Sequence, residues 1–236
     1  MKKTILLSAM AIVFGLFTNS TVFGQKADVE KKLQEYGIPN GFFEDNLKDE
    51  NANHSFKIKT TTITDQETKV EEGTFDPTLP DGERWKLISV NGNEPSKKEI
   101  KQFHKAHNTS EDSSMGEPTD DDWKIIDDND SELVISFKYK EENLPHKYKF
   151  LAKCTGKVFI NKKNKKLDRV EFKNNGPLKV KIFNVDKLEM TVKYQLEEES
   201  QTYMIEKEDI LMDARILGQT VEVKETSEFS DYKKVK

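Results

Sequence analysis

Two histidines are spaced so that they could bind a metal ion together. His104 and His107 lie three residues apart in a predicted helix, and this spacing can bring both imidazoles to one face. No cysteine or acid at a matching spacing completes a set of ligands, and the helix dipole alone favours histidine near a helix C-terminus. We therefore interpret both as structural. His54 and His146 lie in polar stretches and are predicted at the surface.

Two acidic runs, 120–122 and 127–130, offer the carboxylate and amide oxygens that calcium prefers. Neither run has the glycine and the closing glutamate of an EF-hand loop. A solvated loop accounts for the first run and a tight hairpin turn for the second, because Asp and Asn suit such turns. The sequence therefore predicts no metal ion, and it indicates no other cofactor.

Cys154 is the single cysteine of the chain, and it stands outside any recognised motif. A nucleophile needs a neighbouring base and a group that orients the base. Cys154 instead continues the alternation of Tyr148 and Phe150, which predicts a buried thiol. Lipase, zinc-protease, phosphate-loop and dinucleotide motifs are absent from the sequence, and nothing singles out a pair of carboxylates for glycoside hydrolysis. We expect no catalytic residues and no enzymatic activity.

The composition is that of a soluble chain that can bury a core. The 236 residues include 38 Lys and Arg against 43 Asp and Glu, which gives a formal charge of -5, and hydrophobic and charged residues each make up 34%. This length suits one domain, and a single cysteine excludes a disulfide scaffold. The acidic balance argues against nucleic acid as a partner, because nucleic-acid binders concentrate basic residues on one face.

The N-terminal segment has the pattern of a secretory signal peptide. Two lysines precede an apolar run over 5–17, and residues 22–24 resemble a cleavage site. The run is shorter than the roughly 20 residues of a spanning helix. We expect a signal peptide over 1–24 and a single domain over 25–236. The protein is then exported by a bacterium to the periplasm or beyond, and it is not an integral membrane protein after cleavage.

Two helices are predicted in the mature chain. The first begins at Asp28 and stops at Gly37. The second begins with Ser96 and Glu99, a capping box in which each side chain satisfies a backbone N–H of the first turn. Ile100 and Phe103 then share one apolar face of this helix.

The remainder of the chain alternates between apolar and polar residues with the period of a β-strand. About eleven strands are expected, joined by hairpin-like connections near 127–130, 162–166, 174–177 and 197–200. The apolar runs that define them are 56–62, 69–75, 85–90, 133–139, 148–152, 158–160, 170–172, 178–182, 188–196, 203–205, 210–212 and 221–223.

A sheet of this length with one apolar face must curl, because only a few helices are present to cover it. The predicted fold is mainly β: a large curved antiparallel sheet that forms a half-barrel covered by one to three short helices. The helix that follows Ser96 is placed on the concave side.

Three segments resemble a known group of exported proteins. Residues 84–92 (RWKLISVNG), 94–100 (EPSKKEI) and 227–232 (SEFSDY) are similar to proteins related to outer-membrane lipoprotein-sorting factors. The resemblance implies membership of the LolA/LolB-like superfamily, in which an incomplete barrel encloses a hydrophobic cavity and the best-known members carry lipoprotein acyl chains. No residue here matches the functional positions of those carriers, so none is transferred.

The aromatic strand faces have two interpretations, a filled core or the lining of a cavity. With a cavity, we expect a carrier-like protein that binds a lipid or an acylated lipoprotein without a covalent bond, with the acidic segment 109–122 as a gate. With a filled core, we expect a structural or protein-interaction module of the cell envelope, whose partner is an envelope protein. The predicted ligand-binding residues are Trp85, Leu87, Ile100, Phe103, Phe150 and Phe172.

Overall fold

The computed structural model describes seven stretches of the chain: 26–37, 53–107, 118–119, 122–180, 183–198, 202–216 and 219–235. The predicted signal peptide and most of the predicted acidic gate lie outside them. Within these stretches, no helix has the length and apolar character needed to cross a membrane.

The described chain forms two α-helices, two short 3-10 helices and eleven strands. The helices are α1 (Lys26–Glu35), α2 (Lys97–His107) and the 3-10 helices Glu141–Asn143 and His146–Lys153. The strands are β1 (His54–Ile63), β2 (Thr68–Phe75), β3 (Trp85–Val90), β4 (Lys124–Asp128), β5 (Glu132–Phe137), β6 (Cys154–Asn161), β7 (Lys166–Asn174), β8 (Leu178–Val180), β9 (Phe183–Glu197), β10 (Thr202–Ile216) and β11 (Gln219–Lys234).

All eleven strands belong to one open antiparallel sheet, which confirms the predicted fold class. The strand order is β3-β2-β1-β11-β10-β9-β7-β6-β5-β4, and β8 pairs with part of β9. The sheet curves into a half-barrel with few helices. Strands β9, β10 and β11 have 15, 15 and 16 residues and form its middle.

One face of the sheet carries the main core. We call it the inner face; it bears Phe172, Met190 and Ile210, which lie in register across β7, β9 and β10. Helix α1 closes one side of this core with Val29 and Leu33, which are 1% and 2% exposed. The main core is centred on buried residues of β5, β6, β7 and β9: Leu133, Ile135, Phe137, Val158, Ile160, Val170, Phe172, Leu188 and Val192.

Helix α1 is also held by an ionic cluster around Asp128 at the end of β4. The Tyr36 hydroxyl donates to Asp128 Oδ1 over 2.5 Å, and Lys32 Nζ and Lys162 Nζ each lie 3.0 Å from the carboxylate. These three donors, with Tyr36 the strongest, hold the pKa of Asp128 well below its usual range. The cluster thus ties the helix to the edge of the sheet.

One predicted strand is a helix. The run 148–152 lies in the 3-10 helix His146–Lys153, where the Tyr148 N–H donates to the Pro145 carbonyl over 2.9 Å. The fixed φ of Pro145 favours a turn at this point, and this preference outweighs the short alternation of apolar and polar residues that predicted a strand. Cys154 follows this helix, and its predicted burial is confirmed: the residue is 1% exposed, and burial raises the pKa of its thiol to about 11.

Two further predictions about the strands are wrong, and one strand is missing from the prediction. The runs 203–205 and 210–212 are parts of the single strand β10, which continues through a bulge between Ile205 and Lys207. The connection 174–177 is no hairpin, because β8 and β7 both pair with β9. Strand β4 was not predicted, since its adjacent apolar residues Ile125 and Ile126 do not alternate.

Candidate apolar binding surface

Helix α2 is fixed over the far end of the sheet by its first turn. The Ser96 N–H donates to Glu99 Oε2 over 2.7 Å, and the Glu99 N–H donates to Ser96 Oγ over 3.3 Å. This pair of bonds confirms the predicted capping box. It sets the starting point of the helix, so that Phe103 points at β2 and β3.

Phe103 lies directly on the backbone of Gly73 in β2. A Cβ added at Gly73 would be 2.7 Å from the Phe103 ring and 3.2 Å from the Lys86 carbonyl oxygen. Any larger residue at this position therefore displaces the ring or the strand. Phe103 is 6% exposed and packs with Leu87 and Val90, at 5% and 7%, in a second apolar centre separate from the main core.

A series of rings in contact extends from this centre across the inner face. Phe56 has its ring centroid 5.1 Å from Phe75, 5.8 Å from Phe229 and 5.3 Å from Tyr232. Phe75 lies 5.0 Å from Trp85, within the range of favourable aromatic pairs. We call the whole group the aromatic surface; its members are Phe56, Phe75, Trp85, Phe103, His107, Phe229 and Tyr232.

The aromatic surface remains partly open to solvent. Phe56 is buried at 5% exposure, whereas Phe75, Trp85, Phe229 and Tyr232 are half-buried. Half-buried neighbouring rings form a contiguous apolar patch, which is the kind of surface that binds apolar groups. The patch draws its residues from β1, β2, β3, β11 and α2. The contacts between the rings therefore hold these five elements together.

His107 extends this surface as a neutral ring. Its imidazole stacks on Trp85 at 4.4 Å between centroids with 29° between the planes, and it lies 4.3 Å from Phe103. Burial lowers its pKa to about 4, against an opposing effect of the Glu71 carboxylate. The side chain is therefore uncharged at neutral pH. Within the described residues, no group of three His, Cys, Asp and Glu is placed to hold a metal ion.

His54 lies at the opposite end of the aromatic surface and is buried, contrary to the prediction for this residue. It is 3% exposed, its ring is 6.5 Å from Tyr232, and its Nε2 lies 3.7 Å from Glu197 Oε2. The polar residues around His54 in the sequence were misleading, because β11 pairs with β1 at this point although the two strands are far apart in the sequence. His146 is exposed, as predicted.

The structure divides the six predicted ligand-binding residues among three places. Trp85, Leu87 and Phe103 lie together at the second apolar centre. Ile100 is 37% exposed and belongs to the solvent side of α2. Phe150 packs against the main core, and Phe172 lies inside it, 2% exposed and 5.8 Å from the Phe137 ring. The predicted residues therefore do not form one site.

Sequence reasoning missed five members of the aromatic surface: Phe56, Phe75, Phe229, Tyr232 and His107, which was interpreted as structural. The first two were assigned to strands without a functional role. Their importance depends on the pairing of β1 with β11, in which Ile58 lies opposite Phe229. A pairing over so long a sequence separation leaves no local signal in the sequence. The alternation around Phe56 does indicate that its side chain lies on the apolar face of the sheet.

A polar band crosses the inner face between the second apolar centre and the main core. Thr60 and Ser227 share a hydrogen bond of 2.9 Å, Thr62 Oγ1 donates to Glu225 Oε2 over 3.2 Å, and Lys69 pairs with Glu71 at 2.7 Å. All of these residues lie on the inner face by register. Glu208 of β10 completes the polar band, opposite Ser227.

Glu208 is the most perturbed acid of the polar band. Burial raises the pKa of its carboxyl to about 7, and the nearby carboxylates of Glu225 and Asp209 add to the effect. In the part of the chain that the structure describes, no cation pairs with it. The middle of the inner face therefore holds a carboxyl group that changes charge near neutral pH.

Comparisons with known proteins give a distant likeness in shape to a solved structure. No protein-family model matches the chain, and no curated protein matches it. The chain is similar to the crystal structure of a DUF1329 family protein from Desulfovibrio piger, with 7% identity, 89% of this chain and 91% of that chain covered, and a TM-score of 0.38. A likeness at this level assigns neither a family nor an activity.

Proposed function

We propose that this protein is an exported, carrier-like protein that binds a hydrophobic or acylated ligand on the aromatic surface. The observation that carries the proposal is the half-buried patch of rings on the inner face, held under α2 and continuous over four strands. The sequence resemblance to the LolA/LolB-like superfamily supports the same class of ligand. The signal-peptide pattern at the N-terminus supports an extracytoplasmic location.

Binding on this surface needs no covalent chemistry. Transfer of hydrocarbon from water contributes about 0.8 kcal/mol per buried CH2 group, so an acyl chain of ordinary length provides enough free energy for specific binding. Phe75, Trp85 and Phe229 offer the exposed ring area, while the buried Phe56 and Phe103 hold those rings in place. The neutral His107 imidazole adds area without a charge to desolvate.

The filled main core supports a position for the proposed ligand outside that core. Phe172 and Phe137 fill the main core together with Tyr139, and these residues are 2%, 0% and 4% exposed. An acyl chain does not replace such contacts without disrupting the fold. The proposed ligand-binding residues are therefore those of the aromatic surface, with Leu87 beneath it.

The test is a binding measurement with a fluorescent long-chain acyl probe. Phe75→Ala and Trp85→Ala are expected to weaken probe binding several-fold each, because each removes ring area from the patch. Ile88→Ala is the matched control, since Ile88 is an apolar residue of the same strand as Trp85 and is 46% exposed outside the aromatic surface. Native mass spectrometry of protein purified from its own host identifies any ligand that stays bound.

Saturable binding that is weakened several-fold in Phe75→Ala and unchanged in Ile88→Ala supports the proposal. Absence of saturable binding at every probe concentration and pH overturns it. Cell fractionation provides a separate test of location: the proposal requires the protein outside the cytoplasm.

A second candidate function, an envelope protein-interaction module, is favoured by the edges of the sheet. Among the described strands, β4 and β3 stand at the two ends of the strand order, and both carry exposed isoleucines: Ile125 and Ile126 at 37% and 47%, and Ile88 at 46%. Apolar edge strands can accept a further strand from a partner. Reproducible cross-linking of one envelope protein through β4, together with absence of lipid, would favour this module over the carrier.

A further inference from the structure

A line of residues in register crosses the inner face, and Glu208 stands where the line changes from apolar to polar. From β7 to β3 the line contains Val170, Val192, Glu208, Ser227, Thr60, Glu71 and Val90. Its first two members belong to the main core, and its last member belongs to the second apolar centre. A ligand that extends along this line from the second apolar centre toward the main core therefore passes over the polar band, and over Glu208 within it.

The charged groups near Glu208 come from several elements. Strand β11 contributes Glu225, which accepts a hydrogen bond from Thr62 of β1. Strand β9 contributes the apolar Met190 and Val192 on this face. On the outer side of its own strand, Asp209 is paired with Lys207 at 2.9 Å. Among the described residues, the remaining charged or titratable groups of this region are Lys69 and Glu71 of β2, which pair with each other, and His107 of α2.

These surroundings favour the neutral form of Glu208. Two other carboxylates lie near it, burial removes part of its hydration, and the described residues offer it no ion pair. The pKa of about 7 that results means that the group is mostly protonated under mildly acidic conditions and mostly ionised under mildly alkaline ones. A protonated carboxyl is much less costly to cover with hydrocarbon than an ionised one.

We propose that the charge state of Glu208 controls how tightly the inner face holds an uncharged acyl ligand, with tight binding when Glu208 is neutral and release when it is ionised. The inference rests on the proposed function, because it concerns the same ligand on the same face. It also predicts the ligand class: an esterified or amide-linked acyl chain is accepted, whereas a free carboxylate is repelled by the acids of the polar band.

The experiment measures the dissociation constant of an uncharged acyl-ester probe between about pH 5.5 and about pH 8.5. If the probe binds only when Glu208 is protonated, its apparent dissociation constant equals the intrinsic constant divided by the protonated fraction of Glu208. Wild-type binding therefore weakens by about tenfold between about pH 6 and about pH 8. Glu208→Gln keeps the shape and removes the titration, so its binding is expected to be tight and independent of pH. Glu228→Gln, an exposed change on β11, is the matched control and keeps the wild-type profile.

Each outcome decides the matter. A wild-type profile that falls with pH, together with a flat profile for Glu208→Gln, supports the inference. Probe binding with the same pH dependence in both proteins, or with none in either, overturns the inference and leaves the proposed function standing. Lack of probe binding in both proteins at all pH values overturns the proposed function and this inference with it. The free fatty acid of the same chain length is expected to bind more weakly than the ester, and equal affinity contradicts the predicted ligand class.

Discussion

The two apolar centres of this protein use the same residue types but differ in how completely they are filled. In the main core, Phe137 is fully buried against Gly156, with Trp123 stacked on it at 5.3 Å. In the second centre, Phe103 packs on Gly73 in the same way. Helix α1 and the 3-10 helix His146–Lys153 close the main core, whereas α2 leaves the rings of Phe75, Trp85 and Phe229 half-buried. Aromatic residues over a glycine thus build a filled core in one place and a partly open apolar surface in the other.

The difference lies in the cover of the sheet and not in the strands themselves. Both centres are on the inner face of the same sheet, and the same alternation produces both. What distinguishes them is the number of elements packed above the rings, because hydrophobic stabilisation depends on the area removed from water. The main core should therefore dominate stability, and the second centre should dominate binding.

The largest expected effect is on stability, from removing a ring in the main core. Phe172→Ala leaves a cavity and is expected to reduce the unfolding free energy by about 3–5 kcal/mol. Trp85→Ala removes a half-buried ring and should cost roughly half as much. Urea denaturation followed by circular dichroism measures both. Phe172→Leu provides a milder variant in case the alanine variant does not fold. Equal losses for the two sites would contradict the division into a core and a surface.

The next effect concerns Glu208, between the two centres. Its pKa is raised from 4.5 to about 7 in the folded protein, so its contribution to stability is fully present below about pH 4.5 and is lost as the pH rises through about 7. The loss is at most roughly 3 kcal/mol. Glu208→Gln should therefore gain in stability relative to wild type as the pH rises. Denaturation at several pH values measures this difference, and parallel curves for the two proteins would refute it.

A smaller effect is expected where α2 meets the sheet. Gly73→Ala places a methyl group against the Phe103 ring and is expected to cost about 1–3 kcal/mol, with displacement of α2. The lysines of α2 should then become more susceptible to trypsin. Gly176→Ala is the control, since no atom lies within 4 Å of a Cβ at that position. Unchanged proteolysis in Gly73→Ala would show that the second centre adjusts without losing its helix.

The smallest effect is expected at the ionic cluster that ties α1 to the main core. The lowered pKa of Asp128 means that its interactions stabilise the fold above about pH 4 and are lost as the pH falls further. Because the groups are partly exposed, Asp128→Asn should cost less than about 1 kcal/mol at neutral pH. The melting curves of variant and wild type should converge in acid. A difference that persists below about pH 2 would assign the effect to packing instead of charge.

The fold was largely predictable because its signals are local. The capping box at Ser96 and Glu99 gave the start of α2, and strict alternation gave β1 and β9. The charged run from Glu206 to Asp209 concealed the continuity of β10, because a long strand with a polar middle resembles two short strands. The same run contains Glu208. The charged residues that concealed the strand therefore include the one whose carboxyl has a raised pKa on the inner face.

The candidate site was only partly predictable, for a physical reason. Trp85, Leu87 and Phe103 lie near one another in the sequence, and they meet as predicted. Phe150 and Phe172 have the same alternation, but alternation reports which way a side chain points and not what covers it. Phe229 and Tyr232 join the aromatic surface through strand pairing at long range, which a single sequence does not reveal.

The position of β11 also bears on the order in which this protein folds. β11 is the last described strand in the chain, yet it lies between β1 and β10 in the middle of the sheet. Contacts between the earliest and latest strands demand closure of a very long loop, which makes folding slow. Until β11 is inserted, β1, β2, β3 and α2 have no connection through the sheet to the other strands, and Phe56 lacks Phe229 and Tyr232. The aromatic surface is therefore assembled late, and under the proposed function a chain in which β11 has not yet paired with β1 should not bind the ligand.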